Sequence, residues 1–339
     1  MATLPLLDLL ITDIKSGSIV VAAKSAAKPP APPKENTKPA KEPTKPAMKP
    51  PPPTAAKPEV AKAKAAAAVA AANGMPAPSP AAPPAGATSG LPATEALYQS
   101  DTYLFTATAT VLAITPLDGD QGHVVTLDST CFHPQGGGQP ADTGTITSVD
   151  GGEPWAVTMC KKDPAGVVAH QGSSAPSFSV GSKVSLVVNE PARVLNARVH
   201  SAGHLIDVAM AQAGCTLKAT KGYHFTPGAY VEYEGKLEAV ERDALVPRLQ
   251  AALDGLIAQA VPTIVQSVDA SQLDTVCPPS ALPADRNLWG TGWVRVVNVG
   301  GQGCPCGGTH VRDTKELGTV KVEAVKSKGK VTRVSYTLP

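Results

Sequence analysis

The chain has 339 residues, enough for two ordinary domains, and 30 Lys and Arg nearly balance 28 Asp and Glu. Six scattered cysteines exclude the dense disulfide framework of a small secreted protein, and no uncharged run is long enough to span a bilayer. The opening MATLPLLDLLITDIKSGS is interrupted by Asp8 and Asp13 and lacks arginine, so neither a signal peptide nor a mitochondrial presequence fits, and a soluble, cytoplasmic protein is expected.

Within residues 1–22, Leu6, Leu7, Leu10 and Ile14 follow helical spacing. One short apolar face cannot build a core, so this segment is either a frayed terminus or a docking helix for a partner protein. Residues 23–94 are low complexity: KPPAPPKENTKPAKEPTKPAMKPPPP, then AKAKAAAAVAAANG, then SPAAPPAGATSG. Such sequence buries little apolar area and is predicted to be a disordered linker, transiently helical from Val60 to Ala72. Between Thr12 and Lys64 eleven lysines face four acids, so a basic arm precedes a mildly acidic body. An arm of that kind is an inert spacer or a salt-sensitive contact for a polyanion such as RNA.

Residues 95–189 turn globular. YLFTATATVLAI, HVVTLDST, TGTITSV, WAVTMC, GVVAH and KVSLVV are short β-branched runs separated by Asp-Gly and Gly-Gly turns. They predict a small all-β domain, a partly closed barrel. Residues 190–339 predict an α+β domain. EPARVLNARVHSAGHLIDVAMAQAG reads as one helix with Pro191 early and Gly214 after its end, YVEYEG as a strand, 237–260 as a second helix, and WVRVVNV, GTVKVEAVKS and KVTRVSYTL as strands.

Three stretches carry the chemistry. In HSAGH, His200 and His204 sit one helical turn apart and project from one face. In CGGTH, Cys306 and His310 are again four apart, with Gly307 and Gly308 permitting a tight turn. Three imidazoles and one thiolate together make a tetrahedral donor set suited to Zn²⁺. HSAGH lacks the glutamate of HExxH, which excludes a zinc protease of that type. Cys304 is either a competing fifth ligand or a bystander thiol. The third stretch is CFHPQGGGQPADTG, where Gly136, Gly137 and Gly138 allow close backbone approach to a ligand and Gln139 follows with a donor and an acceptor.

FHPQGGGQPADTG, HSAGH and CGGTHV, in this order and at these intervals, resemble the alanyl-tRNA editing family: the free-standing AlaX-type deacylases and the editing domain of alanyl-tRNA synthetase. The resemblance runs from about residue 98 to 339 and includes nothing like a synthetase core. It implies a free-standing, trans-acting hydrolase of serine or glycine wrongly esterified to alanine tRNA. It puts the zinc ligands at His200, His204, Cys306 and His310, and the glycine-rich motif at Gly136, Gly137 and Gly138, with Gln139 beside the active site. Gln139 and the amides of Gly137 and Gly138 are the catalytic candidates, orienting ester or water. Gly136, Thr220, Tyr223, His224 and Thr226 are candidates for substrate contacts, a hydroxyl reader among them, because a pocket built for alanine rejects serine poorly. Four protein ligands fill a tetrahedral zinc, so one ligand is displaced, coordination expands, or zinc chiefly shapes the pocket. The basic arm and docking segment are additions to the family pattern that imply tRNA retention or recruitment to synthetases. The competing reading is an inactive tRNA-binding scaffold with a structural zinc; a third is the same chemistry on a threonine tRNA.

Overall fold

The computed structural model describes residues 88, 90–282 and 292–339. The expected docking segment at 1–22 and most of the basic linker lie outside the described residues. Helix and strand are mixed, as expected.

The regular structure of the first part of the described chain is mainly strand: β1 (Glu95–Ala96), β2 (Thr106–Pro116), β3 (His123–Leu127), β4 (Ser129–Thr130), β5 (Gly144–Ser148), β6 (Trp155–Val157), β7 (Met159–Lys162), β8 (Val168–Gly172) and β9 (Lys183–Val188). β1 and β4 form a small parallel pair. The other seven form one antiparallel sheet in the order β6-β5-β9-β2-β3-β8-β7. Its two edge strands are consecutive in the chain, so the sheet curls into a nearly closed barrel. The sequence expectation of a single strand at WAVTMC fails here for a simple reason. The run turns a corner at Thr158, its first half pairing with β5 and its second with β8. Inward-facing residues fill the barrel, among them Val111, Val125, Leu127, Phe132, Ile146 and Leu186. Alternating burial along β9, with Val184, Leu186 and Val188 buried, is the period-2 pattern of a strand with one face on a core.

The second part comprises α1 (Glu190–Gln212), β10 (Lys218–Tyr223), β11 (Tyr230–Glu234), α2 (Ala239–Ala258), β12 (Ile264–Asp269), α3 (Leu273–Val276), β13 (Trp293–Val299), β14 (Gln302–Pro305), β15 (Lys321–Lys328) and β16 (Val331–Thr337). α1 starts where expected: Asn189 caps it by accepting from the Ala192 amide, Pro191 sits in the first turn, and Gly214 takes φ +80° just beyond the end. α1 and α2 pack on a four-stranded antiparallel sheet, β10-β11-β16-β15, and bury Leu205, Ile206, Leu249 and Leu253 against Val231, Tyr233, Val334 and Tyr336. β12-β13-β14 form a separate three-stranded sheet. No helix among the described residues is long and apolar enough to cross a membrane.

A buried ion pair locks the barrel to α1. Arg193, fully buried on the first turns of the helix, pairs with Asp142 from the loop that follows the glycine motif. Its Nη1 also donates to the Thr102 carbonyl at 2.8 Å and its Nη2 to the Cys131 carbonyl. Asp142 accepts in addition from the His133 amide at 2.6 Å. One guanidinium thus fixes where the glycine loop sits relative to the helix that bears His200 and His204.

Candidate active site

α1 presents one continuous stripe to a cavity of about 500 Å³: His200, Gly203, His204, Asp207, Met210 and Ala211. These follow the i, i+3, i+4, i+7 spacing of a helix face. Opposite them, the chain leaves β14 and turns back through Cys306 to His310. One donor atom from each of His200, His204, Cys306 and His310 lies within 4.8 Å of the others. The Cys306 sulfur stands 3.5 Å from His200 Nε2 and 3.3 Å from His310 Nε2. The four ligands expected from the sequence therefore converge on one point, although more than a hundred residues separate the two pairs.

Protein groups hold these rings in the orientation that ligation needs. Gln139 is fully buried, and the Thr309 amide donates to its Oε1 at 3.0 Å. Because an amide N–H only donates, this contact identifies the oxygen. His200 Nδ1 lies 2.8 Å from the same oxygen and so carries the proton, leaving the Nε2 lone pair facing the sulfur. Gln139 Nε2 completes the link by donating to the Thr309 hydroxyl at 2.8 Å. Ser201 plays the corresponding part for His310, meeting its Nδ1 at 3.1 Å while accepting from the Val311 amide. Arg295 straps the ligand loop by donating to the carbonyls of Cys306 at 2.6 Å and Gly308 at 3.1 Å. Gly308 permits the closest approach: a Cβ there would lie 2.3 Å from the His200 ring.

The donor set fits a divalent metal ion. His204 Nε2 is buried with no protein partner, an orphan that a metal would satisfy. Burial, with Arg295 nearby, pulls the His204 pKa down to about 4. Burial and the neighbouring imidazoles hold His200 and His310 well below the ordinary histidine value. All three rings are therefore neutral near pH 7 and offer lone pairs. Burial raises the Cys306 thiol, against the Gly308 amide and Arg295, which lower it. A cation at the centre supplies the compensation that its thiolate requires.

The glycine motif forms a tight hairpin. Gly136 and Gln139 exchange backbone hydrogen bonds, at 3.2 and 2.9 Å, around Gly137 and Gly138, which take φ +57° and +79°. Two successive positive φ values are the type I′ pattern, which glycine adopts without steric cost. Gly137 lines the cavity. Gly138 instead abuts β10, its carbonyl accepting from the His224 amide at 2.8 Å, and Gly136 is outside the lining. His224 also lines the cavity and stacks on His200 with ring centroids 4.5 Å apart. Tyr336 OH donates to the Val199 carbonyl at 2.9 Å and so accepts from His224 Nδ1 at 2.7 Å, which leaves His224 Nε2 as an acceptor. Thr220, the extra residue of a bulge in β10, lines the cavity too. Tyr223 does not: it stacks with Phe225 and Tyr230, apart from the cavity wall. Thr226 is likewise outside the lining. Cys304 lines the cavity but is not part of the four-ligand cluster.

Sequence reasoning missed Asp207, Ser201 and Thr309 as parts of this site. Asp207 had a usable signal, since it lies seven residues after His200 on the same helix face. Ser201 and Thr309 had none, because their roles arise from contacts across more than a hundred residues. For Gln139 the geometry predicts a positioning role. Gln139→Ala should weaken divalent-metal affinity by about 10–100-fold with the fold intact, as measured by competition with a chromophoric chelator; unchanged affinity would contradict that role.

Two family descriptions match the chain: residues 92–192 match tRNA synthetases class II (A), and residues 294–333 match the threonyl and alanyl tRNA synthetase second additional domain. The alanyl-tRNA editing protein AlaX-M of Methanosarcina barkeri is 32% identical over 248 residues, covering 72% of this chain and 98% of that protein. AlaX-M of Methanosarcina mazei is 29% identical over 249 residues, covering 72% and 95%. The alanine–tRNA ligase of Polaromonas naphthalenivorans is 31% identical over 218 residues, which are 61% of this chain and 23% of that enzyme. The similarity thus spans almost the full length of the editing proteins and under a quarter of the ligase, and the chain belongs to the alanyl-tRNA editing protein AlaX-M family.

Proposed function

We propose that the protein acts in trans on mischarged alanine tRNA, hydrolysing the ester that joins serine or glycine to its 3′ end, and that its metal is zinc. The observation that carries this is the convergence of His200, His204, Cys306 and His310 on one point, the first three of them lining a cavity large enough for an aminoacyl group and its ribose. The names of its relatives support the substrate class. In this reading residues 95–189 form a barrel domain that supplies the glycine turn, and residues 190–339 form the zinc-binding editing domain.

An aminoacyl ester is already activated, so positioning and stabilisation of the developing oxyanion supply most of what is needed. Water adds its oxygen to the acyl carbon, the acyl carbon–oxygen bond breaks, and the ribose oxygen leaves with a proton. When bound, zinc supplies fixed positive charge and Lewis acidity in the cavity wall. Gln139 holds the proton on His200 Nδ1 and keeps that ring in place. His224, protonated at Nδ1 by its bond to Tyr336, orients the attacking water by accepting at Nε2. Gly137 brings backbone, with no side chain in the way, to the reacting ester. Thr220 donates its hydroxyl hydrogen to the Glu232 carbonyl at 3.1 Å, and its oxygen retains lone pairs for a serine hydroxyl.

The basic segment before the barrel serves as a salt-sensitive tRNA contact, and the apolar residues 1–22 recruit synthetases, in the cytoplasm where charged tRNA is handled. A truncation that tests this should end before Thr94, whose hydroxyl bridges the Leu127 carbonyl and the Val168 amide. The decisive experiment offers purified full-length protein seryl-, glycyl- and alanyl-tRNA(Ala). Rapid release of serine or glycine with alanine spared is expected. Rates equal to buffer on all three would leave the tRNA-binding scaffold as the better account.

A further inference from the structure

One acid lies on the cavity face of α1. Asp207 is three residues beyond His204, about 4.5 Å further along the helix axis at 1.5 Å per residue. Its Oδ1 accepts from Tyr233 OH at 2.6 Å. Among the described residues no lysine, arginine or histidine forms an ion pair with it. Lys221, which shares the lining, is exposed. Enclosure by protein pushes the Asp207 carboxyl up to about 6, while the bond from Tyr233 pulls it down. A carboxylate so placed has no ion-pair partner among the described residues.

The substrate offers one. An aminoacyl ester carries an α-amino group that is substantially protonated near neutral pH, two bonds from the carbonyl carbon. We infer that Asp207, held by Tyr233, receives this α-ammonium and so sets how deeply the ester enters the cavity, a role that presupposes the deacylase activity proposed above. With the carbonyl beside the four-ligand cluster, the ammonium lies toward the next turn of α1, where Asp207 stands. The carboxylate then has its counter-ion, and a charge-assisted hydrogen bond distinguishes aminoacyl esters from other esters. Tyr233 fixes one carboxylate oxygen and leaves the other for the ligand.

The test compares full-length, zinc-loaded wild type, Asp207→Asn and Tyr233→Phe on three tRNA(Ala) esters: seryl, glycyl, and the serine analogue with an α-hydroxyl in place of the α-amino group. Wild type should prefer the seryl ester over its α-hydroxy analogue by about tenfold or more in kcat/KM. Asp207→Asn should lose about tenfold on both amino esters and change little on the analogue. Tyr233→Phe should shift in the same direction by less. Equal wild-type rates on the seryl ester and its analogue would overturn the inference. So would a variant that loses activity on all three esters alike, or one impaired on seryl but not glycyl ester, since the latter reads the serine hydroxyl. If Asp207→Asn fails to fold or to retain zinc, the wild-type comparison and Tyr233→Phe decide the matter. A wild type inert toward every ester overturns the deacylase activity itself, an outcome distinct from loss of preference.

Discussion

Cys306→Ala is expected to lower kcat/KM for seryl-tRNA(Ala) by about 1,000-fold or more and to leave little zinc bound, because it removes the one anionic ligand and with it several kcal/mol of charge stabilisation. The three remaining donors are neutral imidazoles, each held at low pKa by burial. Without the sulfur they face a cation with no negative charge among them. The Gly308 amide, which donates to that sulfur at 3.4 Å, also loses its acceptor. Metal content by atomic absorption and single-turnover deacylation measure the two effects separately. A zinc-free Cys306→Ala protein with wild-type turnover would remove the metal from the mechanism.

The second large effect is on stability. Asp142→Ala should cost about 3–5 kcal/mol, because it leaves the Arg193 guanidinium buried without its anion. The carbonyls of Thr102 and Cys131 remain, but they carry no compensating charge. Replacing both partners, as Arg193→Met with Asp142→Leu, should recover most of the loss, since no ion is then left in an apolar setting. Urea unfolding of wild type and the two variants measures this. A single variant within about 1 kcal/mol of wild type would mean that water reaches the pair.

Much of the site is legible in the sequence because its information is local. Four residues are one helical turn, so His200 and His204 had to share a face. Cys306 and His310 needed only a tight loop, which the glycines between them announce. Strands with β-branched alternation announced themselves too, and both long helices fall close to their predicted limits. What was not legible depends on distance. Gln139 reads as a residue for the substrate; the fold turns it into a clamp between His200 and Thr309. Thr158 carries no mark of the corner at which one predicted strand becomes two. The pairing of Tyr223 with His224 as contacts for one ligand is a different matter. Neighbours at the end of a strand project to opposite sides, so alternation alone separates them.

The pocket is also assembled from segments made far apart in time. The turn at Gly136–Gln139 is synthesised first, yet it acquires its contacts only when His224 and Thr309 arrive, and the sulfur enters after both helical histidines. A product released before Cys306, even one with an intact barrel and both helical histidines, therefore possesses only half of the donor set. Assembly of the four-ligand cluster thus waits on a segment made long after the barrel, and a copy that stops short of Cys306 cannot form it.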